Sequence, residues 1–290
     1  MAEITAAAVG KLREMTSAGL MDCKKALAEA NGDLSAAVDI LRKRGVASAA
    51  KKALRDANEG VIAQHIQPGA RTGVIVEVNC ETDFVAKNDS FRAFCDDVAK
   101  TLAANPAADL EAARVAQVAK IGENIKIPRF HRMEVTGHGL VAAYIHTGSK
   151  VGVLVEVGAG KDATVASEDF KQLVRDITLQ IAAASPYAVS RESIDPAIVQ
   201  KEREIAAEQV KNKPPQAIAK IVEGKLDIAK IVEGKLEKFY QTGCLIDQGF
   251  VKRNGEVTVK EHVASVGKQL GDEITIRRFV RFQVGETPAA

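Results

Sequence analysis

The sequence predicts an α+β protein: a small helical N-terminal unit, a core of two related α+β subdomains, and a helical hairpin inserted in the second. Three observations carry this. The first 55 residues are rich in Ala, Lys and Leu without a strand pattern, a segment starting at Gly60 recurs at Gly139, and the second copy holds 70 residues that the first lacks. The boundaries that follow are 1–55 for the N-terminal unit, 56–138 for the first core subdomain, 139–185 with 241–290 for the second, and 186–240 for the hairpin.

In the N-terminal unit three short helices are expected. The first, 4–15, stops at Thr16-Ser17-Ala18-Gly19; the second, 20–30, stops at Asn31-Gly32; the third, 33–44, stops at Gly45, a residue suited to the left-handed position after a helix. Leu12, Met15, Met21, Leu27, Leu34, Val38 and Leu41 are the expected core. Leu20 and Met21 open the second helix, and a unit this small has so little interior that one of the two is expected to face solvent. Lys51-Lys52-Ala53-Leu54-Arg55 reads as a solvated helical linker.

The core subdomains come from the repeat. GVIAQHIQPGARTGVIVEV at 60–78 lies over GLVAAYIHTGSKVGVLVEV at 139–157, with nine of nineteen positions identical, and the offset holds through Asp83 over Asp162, Phe91 over Phe170 and Asp97 over Asp176. Each copy reads as strand, turn, strand, loop and helix, from β-branched runs around Pro68-Gly69 or Thr147-Gly148 followed by apolar residues at helical spacing such as Phe91, Phe94, Val98 and Leu102. A second echo, GENIKIPRFHRMEV at 122–135 over GDEITIRRFVRFQV at 271–284, has seven of fourteen positions identical and ends each copy in a strand.

The offset grows between these two echoes, which places the extra residues between about Ala183 and Val257. A charged helical stretch over 196–210, a break at Lys213-Pro214-Pro215 and a second helical stretch over 216–240 make the hairpin. Its returning arm carries a tandem copy, IAKIVEGKLD at 218–227 and IAKIVEGKLE at 228–237. Ten residues rotate a helix face by roughly 80°, so part of this segment is expected to bulge or protrude.

The corner after the strand that ends at Val78 carries the run Cys80-Glu81-Thr82-Asp83-Phe84-Val85-Ala86-Lys87-Asn88, with Asp89-Ser90 able to cap a helix from Phe91. Strand-to-helix corners on rigid scaffolds commonly present functional side chains. Two roles are open for Phe84: a staple folded onto the following helix, the commoner one, or a side chain that enters a partner.

Reaction chemistry is poorly supported. Gly158-Ala159-Gly160-Lys161 looks like a phosphate loop, but Val155 stands where the first Gly of GxxxxGK belongs and Asp162 follows the lysine. The histidines, His65, His131, His138, His146 and His262, form no metal-binding pair, and Cys80 beside Glu81 has no neighbouring helix start or His in the sequence to activate it. No enzyme and no cofactor is expected. With 40 basic against 38 acidic residues, a net charge of +2 and 4% aromatic residues, neither a phosphate-tracking surface nor a base-stacking platform is expected, so nucleic acid is not an expected partner. Four dispersed cysteines without a CxxC pair, a start without signal-peptide character and no run of ~20 apolar residues read as a reduced, cytoplasmic protein with no membrane partner.

Two motifs carry a family resemblance. Leu12-Arg13-Glu14 with Thr16, then Ala18-Gly19-Leu20-Met21-Asp22-Cys23-Lys24-Lys25-Ala26-Leu27, and the run from Thr82 to Asn88 resemble the two signatures of bacterial elongation factor Ts, the family of guanine nucleotide exchange factors of elongation factor Tu. With the duplicated core and the hairpin, the resemblance covers essentially the whole chain. Ser17 stands where Gly is usual, Leu20 where Met is common, and the ten-residue duplication departs from the family pattern.

The resemblance implies a ubiquitin-associated-like three-helix N-terminal domain, two related core subdomains and a protruding coiled-coil module. It implies an exchange wedge of Thr82, Asp83, Phe84 and Val85 pressed near the magnesium and phosphate sites of the partner's GTPase domain. Leu20, Met21 and Lys24 would hold the same domain, Leu12 would also bind the partner, and His146 and Gly148 would meet another domain. The implied partner is elongation factor Tu, GDP-bound and nucleotide-free; a homodimer or a heterotetramer with it stays open. Two rival roles also stay open: an adaptor that dimerises through the hairpin without exchange activity, and an enzyme using Cys80 and Glu81.

Overall fold

A computed structural model describes residues 4–16, 18–211 and 228–286. Three helices come first: α1 (Ala6–Thr16), α2 (Leu20–Glu29) and α3 (Leu34–Lys52). Val9, Leu12, Cys23, Ala26, Leu27 and Ala37 are buried between them. Asp33 starts α3 by accepting a hydrogen bond from the Ala36 amide at 2.8 Å. The helix does not stop at Gly45. A Cβ there would lie 3.5 Å from the Ala119 Cβ and 3.8 Å from the Val115 Cγ1, ordinary contact distances, so this glycine sits mid-helix against the helix α6 (Glu111–Ile121), and α3 runs about two turns beyond the expected end. Met15 and Met21, expected in the core, are exposed.

The duplicated sequence folds into two three-stranded antiparallel sheets of the same design. Strands β1 (Glu59–Ile66), β2 (Thr72–Cys80) and β3 (Lys126–Glu134) lie in the order β1-β2-β3, and β4 (Gly139–Ile145), β5 (Val151–Ala159) and β6 (Ile274–Gln283) in the order β4-β5-β6. Strand alternation explains how both faces are used. In the first sheet Val61, Val74, Val76 and Val78 face α5 (Asp89–Ala104) through Phe91, Cys95, Val98 and Leu102. On the opposite face Ile62, Ile75 and Met133 meet Val141, Leu154 and Phe282 of the second sheet. The second sheet repeats the outer layer with α8 (Glu168–Ala184), whose Phe170 is fully buried as Phe91 is. A one-turn α7 (Asp162–Ala166) precedes α8.

The last helix of each unit confirms the second echo. α6 ends at Gly122 (φ 89°) and enters β3; α11 (Val259–Leu270) ends at Gly271 (φ 62°) and enters β6. Between α8 and α11 stand α9 (Pro196–Lys211) and α10 (Ile228–Gly243), which pack through Ala206, Val232 and Leu236 and pair Arg203 with Glu233 at 2.8 Å. Arg191 fastens the base of this hairpin, donating to Asp247 at 2.6 Å and to both Glu237 oxygens at 2.8 and 2.7 Å. The second tandem copy, 228–237, is the start of α10 and packs on α9. The first copy and the Pro-Pro break lie outside the described residues, and with them part of the expected bulge. No helix among the described residues is long and apolar enough to cross a membrane.

One buried carboxylate per sheet joins the two halves. Glu77 accepts from Arg129 Nε at 2.7 Å and from the Gly285 amide at 3.0 Å; Glu156 accepts from Arg277 at 2.9 Å and Arg278 at 2.7 Å, while Arg278 reaches the Glu134 carbonyl at 3.0 Å. Burial works to raise the Glu156 carboxyl, but the hydrogen bonds from Arg277 and Arg278 overcome it and hold the group below its ordinary value of 4.5. Its stabilisation is therefore complete above that value and lost as pH falls through the lower folded one. Glu156→Gln is expected to cost about 1–3 kcal/mol at neutral pH, towards the lower end because Arg278 is half exposed to screening solvent. In thermal melts the gap between wild type and variant should narrow as the buffer is taken from neutral to acid; a constant gap would refute the assignment.

Candidate functional site

The corner after β2 is a capped turn of helix, not a loop. Past Cys80 the chain bends at Glu81 and Thr82 and forms α4 (Asp83–Ala86), where Thr82 Oγ1 accepts the Val85 amide at 3.3 Å. Asn88, not Asp89 or Ser90, caps the next helix: its Oδ1 accepts the amides of Ser90 at 2.9 Å and Phe91 at 3.3 Å. A single helical turn with a cap at each end leaves little freedom over which side chains face inward. Ala86 is buried and Val85 packs on the first sheet's core. Phe84, between Asp83 and Val85, is 80% exposed. The staple role is thereby overturned: the ring does not fold onto the following helix. Asp83 pairs with Lys87 at 2.7 Å, and that hydrogen bond holds its carboxyl below the usual range.

Residues distant in sequence brace this turn. Glu123 Oε2 accepts the amides of Glu81 and Thr82, both at 3.0 Å, and its Oε1 accepts the Thr82 hydroxyl at 2.7 Å. Glu81 in turn accepts the Asn124 amide at 2.6 Å, and Asn124 Nδ2 donates to the Arg55 carbonyl at 2.8 Å, where the chain leaves α3. Sequence reasoning missed Glu123 and Asn124. A signal was present in the acid that follows the glycine in both echoes, GEN at 122–124 and GDE at 271–273.

Cys80 is no nucleophile in this setting. A helix start does lie close by, at Asp83, which the sequence did not reveal, but the thiol is buried and donates to the Thr82 carbonyl at 3.2 Å. Burial, with Glu123 nearby, pushes it up to about 12, so it stays protonated at neutral pH. Among the described residues no group of three or more His, Cys, Asp or Glu could hold a metal ion.

The N-terminal candidates divide. Leu20 and Met21, 51% and 64% exposed, are apolar side chains in solvent at the start of α2, Met15 near the end of α1 is exposed as well, and Lys24 is exposed one turn on; both members of the Leu-Met pair face solvent, where one was expected. Leu12 is fully buried in the core of the helical unit, which removes it as a direct contact. Leu12→Ala should therefore destabilise the helical unit by about 2–5 kcal/mol, whereas Met21→Ala should shift stability by no more than about 0.5 kcal/mol. Circular dichroism melts separate the two outcomes.

His146 and Gly148 lie exposed in the turn between β4 and β5. Gly148 has φ 88° with open space around it, and His146 Nδ1 lies 2.9 Å from the Tyr144 hydroxyl. The equivalent turn of the first copy is tied inward, since Gln67 donates to the Ala103 carbonyl at 3.0 Å. His146 borders a hollow of about 330 Å³ shared with Tyr144, Phe250 and Val251. The three sets of candidates thus sit on separate elements: α4, the start of α2, and the β4–β5 turn. All three suit docking; none assembles a nucleophile with a base.

Comparison with known proteins agrees on one family. The family described as Elongation factor TS matches residues 81–286, a stretch that begins at the braced corner. Elongation factor Ts of Symbiobacterium thermophilum is 45% identical over 295 residues, covering 99% of this chain and 93% of the relative. That of Nautilia profundicola is 43% identical, covering 99% and 94%, and that of Nitratidesulfovibrio vulgaris strain DP4 is 39% identical, covering 99% and 98%.

Proposed function

The chain belongs to the elongation factor Ts family, and from that premise we propose that it binds elongation factor Tu in its GDP-bound and nucleotide-free forms, promotes GDP release and so allows GTP to load. The observation that carries the proposal is Phe84, an apolar ring exposed on a turn that is capped at both ends and braced by Glu123. A wedge needs no bond-making. Nucleotide in such a GTPase is held by a dense set of charge-assisted contacts from backbone amides and Mg²⁺, and a small displacement of these elements weakens many of them together. By linkage, a factor that prefers the nucleotide-free partner must promote nucleotide loss, and nucleotide must weaken the factor's hold in return.

In this reading Thr82 caps the wedge, Asp83 and Phe84 enter the magnesium and phosphate region, and Val85 anchors the turn to the core. Leu20, Met21 and Lys24 hold the same GTPase domain, and His146 and Gly148 meet a second domain of the partner. The protein works in the cytoplasm as a translation factor, without covalent chemistry and without membrane or nucleic acid contact of its own. An adaptor that dimerises through the hairpin is the rival; the exposed Phe84, far in sequence from α9 and α10, has no place in it.

The test is release of fluorescent GDP from elongation factor Tu with this protein at substoichiometric concentration. Acceleration over many partner molecules per factor is the expected result. Binding without acceleration would favour the adaptor.

A further inference from the structure

We propose that Glu123 is a positioning residue for exchange, aiming Phe84 through the turn it braces; this rests on the exchange reading above. One carboxylate satisfies the two backbone amides that carry the chain from β2 into α4 and also takes the hydroxyl of Thr82, the residue that caps α4. Thr82 is then fixed on both sides: its hydroxyl donates to Glu123 while accepting the Val85 amide. Loss of the carboxylate would free two amides and the cap together, and the next residue but one is Phe84. Because the ring itself is mostly in solvent, its direction follows from the backbone of the turn that carries it.

The second copy supplies an internal comparison. Asp272 stands in the echo where Glu123 stands, and its carboxylate accepts the amide of Gly160, the counterpart of Glu81, at 3.2 and 3.1 Å. The bracing of the corner is therefore common to both copies. The position of Phe84, however, is taken by Ala163. Only the first copy combines the longer acid, the capping hydroxyl and the aromatic ring. A device shared by both corners thus has an added task in one of them.

Asn124 extends the same bracket. Its amide engages Glu81 while its side chain holds the Arg55 carbonyl at the exit of α3, so the connection that carries Glu123 also ties down the helical unit presenting Leu20 and Met21. The wedge and the N-terminal surface share a single anchoring segment.

The test is a double-mutant cycle on GDP release from elongation factor Tu, with wild type, Glu123→Ala, Phe84→Ala and the double variant compared in kcat/KM, and thermal melts of each. Glu123→Ala is expected to slow exchange about tenfold, within the range for residues coupled through a shared stretch of backbone, and to slow it less than about twofold when Phe84 is already alanine. Glu123→Gln, which keeps the volume and one acceptor oxygen, is expected to fall between and supplies the result should the alanine variant fold poorly. Asp272→Ala is the control for stability: a lowered melting temperature with exchange within about twofold of wild type. Equal slowing by Glu123→Ala in both backgrounds, or no slowing while Phe84→Ala slows exchange, overturns the proposal. If Phe84→Ala itself leaves exchange intact, the ring has no part in exchange and the aiming role of Glu123 is overturned with it; the exchange reading fails only if the wild-type protein accelerates no release.

Discussion

Phe84→Ala should cut the rate of catalysed GDP release by about 10- to 100-fold, corresponding to roughly 1.4–3 kcal/mol, while leaving the protein's own stability within about 0.5 kcal/mol of wild type. The two halves of the expectation have one cause. At 80% exposure the ring contributes almost nothing to the core, so truncation removes little from the folded state. The residues that build the turn are others: Val85 and Ala86 pack inward, Thr82 caps its start, and Asn88 caps the helix that follows. Inserted between partner side chains, the same ring would gain its full desolvation and packing energy, as aromatic anchors at interface centres do. Stopped-flow release of labelled GDP, with a thermal melt beside it, reads both. Slowed exchange with an unchanged melt is the expected pair. A variant as active as wild type would remove Phe84 from the mechanism, and a lost melt would mean that the ring is a structural part of the corner after all.

The fold was largely legible because duplication doubles every signal. Two occurrences of the β-branched pattern, at 60–78 and 139–157, fix strand, turn and strand more firmly than either alone, and the jump between echoes locates the hairpin. Misreadings fell where a tertiary neighbour overrides a local rule. Gly45 has the look of a helix end, but it lies against α6, and no local rule reveals a partner helix some seventy residues away. Leu12 sits in a motif shared with exposed residues and yet is wholly buried, since the face a residue occupies depends on how α1 rolls against α2 and α3.

The site was legible in its centre and not in its support. Phe84 stood out as an aromatic residue among polar ones, and only the structure decides between staple and wedge. Glu123 lies more than forty residues from the amides it accepts, a separation at which one acid in a chain of 38 acidic residues carries no mark of its role. Side chains that satisfy backbone groups across a fold are the hardest part of a site to read from sequence, because their partners have no residue-specific identity.

Gly60→Ala should destabilise the protein by roughly 3–5 kcal/mol, the sum of a strained backbone and a backbone clash. Gly60 has φ +147°, outside the range open to residues with a side chain, and a Cβ built there would sit 2.2 Å from the Val78 carbonyl oxygen and 2.7 Å from the Asn79 Cα. Those atoms belong to the neighbouring strand, so no rotamer change relieves the contact; β1 must move away from β2. The register pairs Gly60 with Asn79, one residue before Cys80 and the wedge corner, and Lys150 of the second subdomain donates to the Gly60 carbonyl at 2.9 Å. Displacement here therefore propagates both to the turn carrying Phe84 and to the contact between sheets. Gly139, its counterpart in the repeat at φ +151°, meets the Val157 carbonyl oxygen at 2.5 Å in the same way, but the corner beyond it carries Ala163 in place of the ring. Gly139→Ala should thus lower the melting temperature by a comparable amount, about 10 °C in either variant, while exchange measured well below the transition falls more for Gly60→Ala. Equal losses of exchange in the two variants would show that the strain acts through global stability alone.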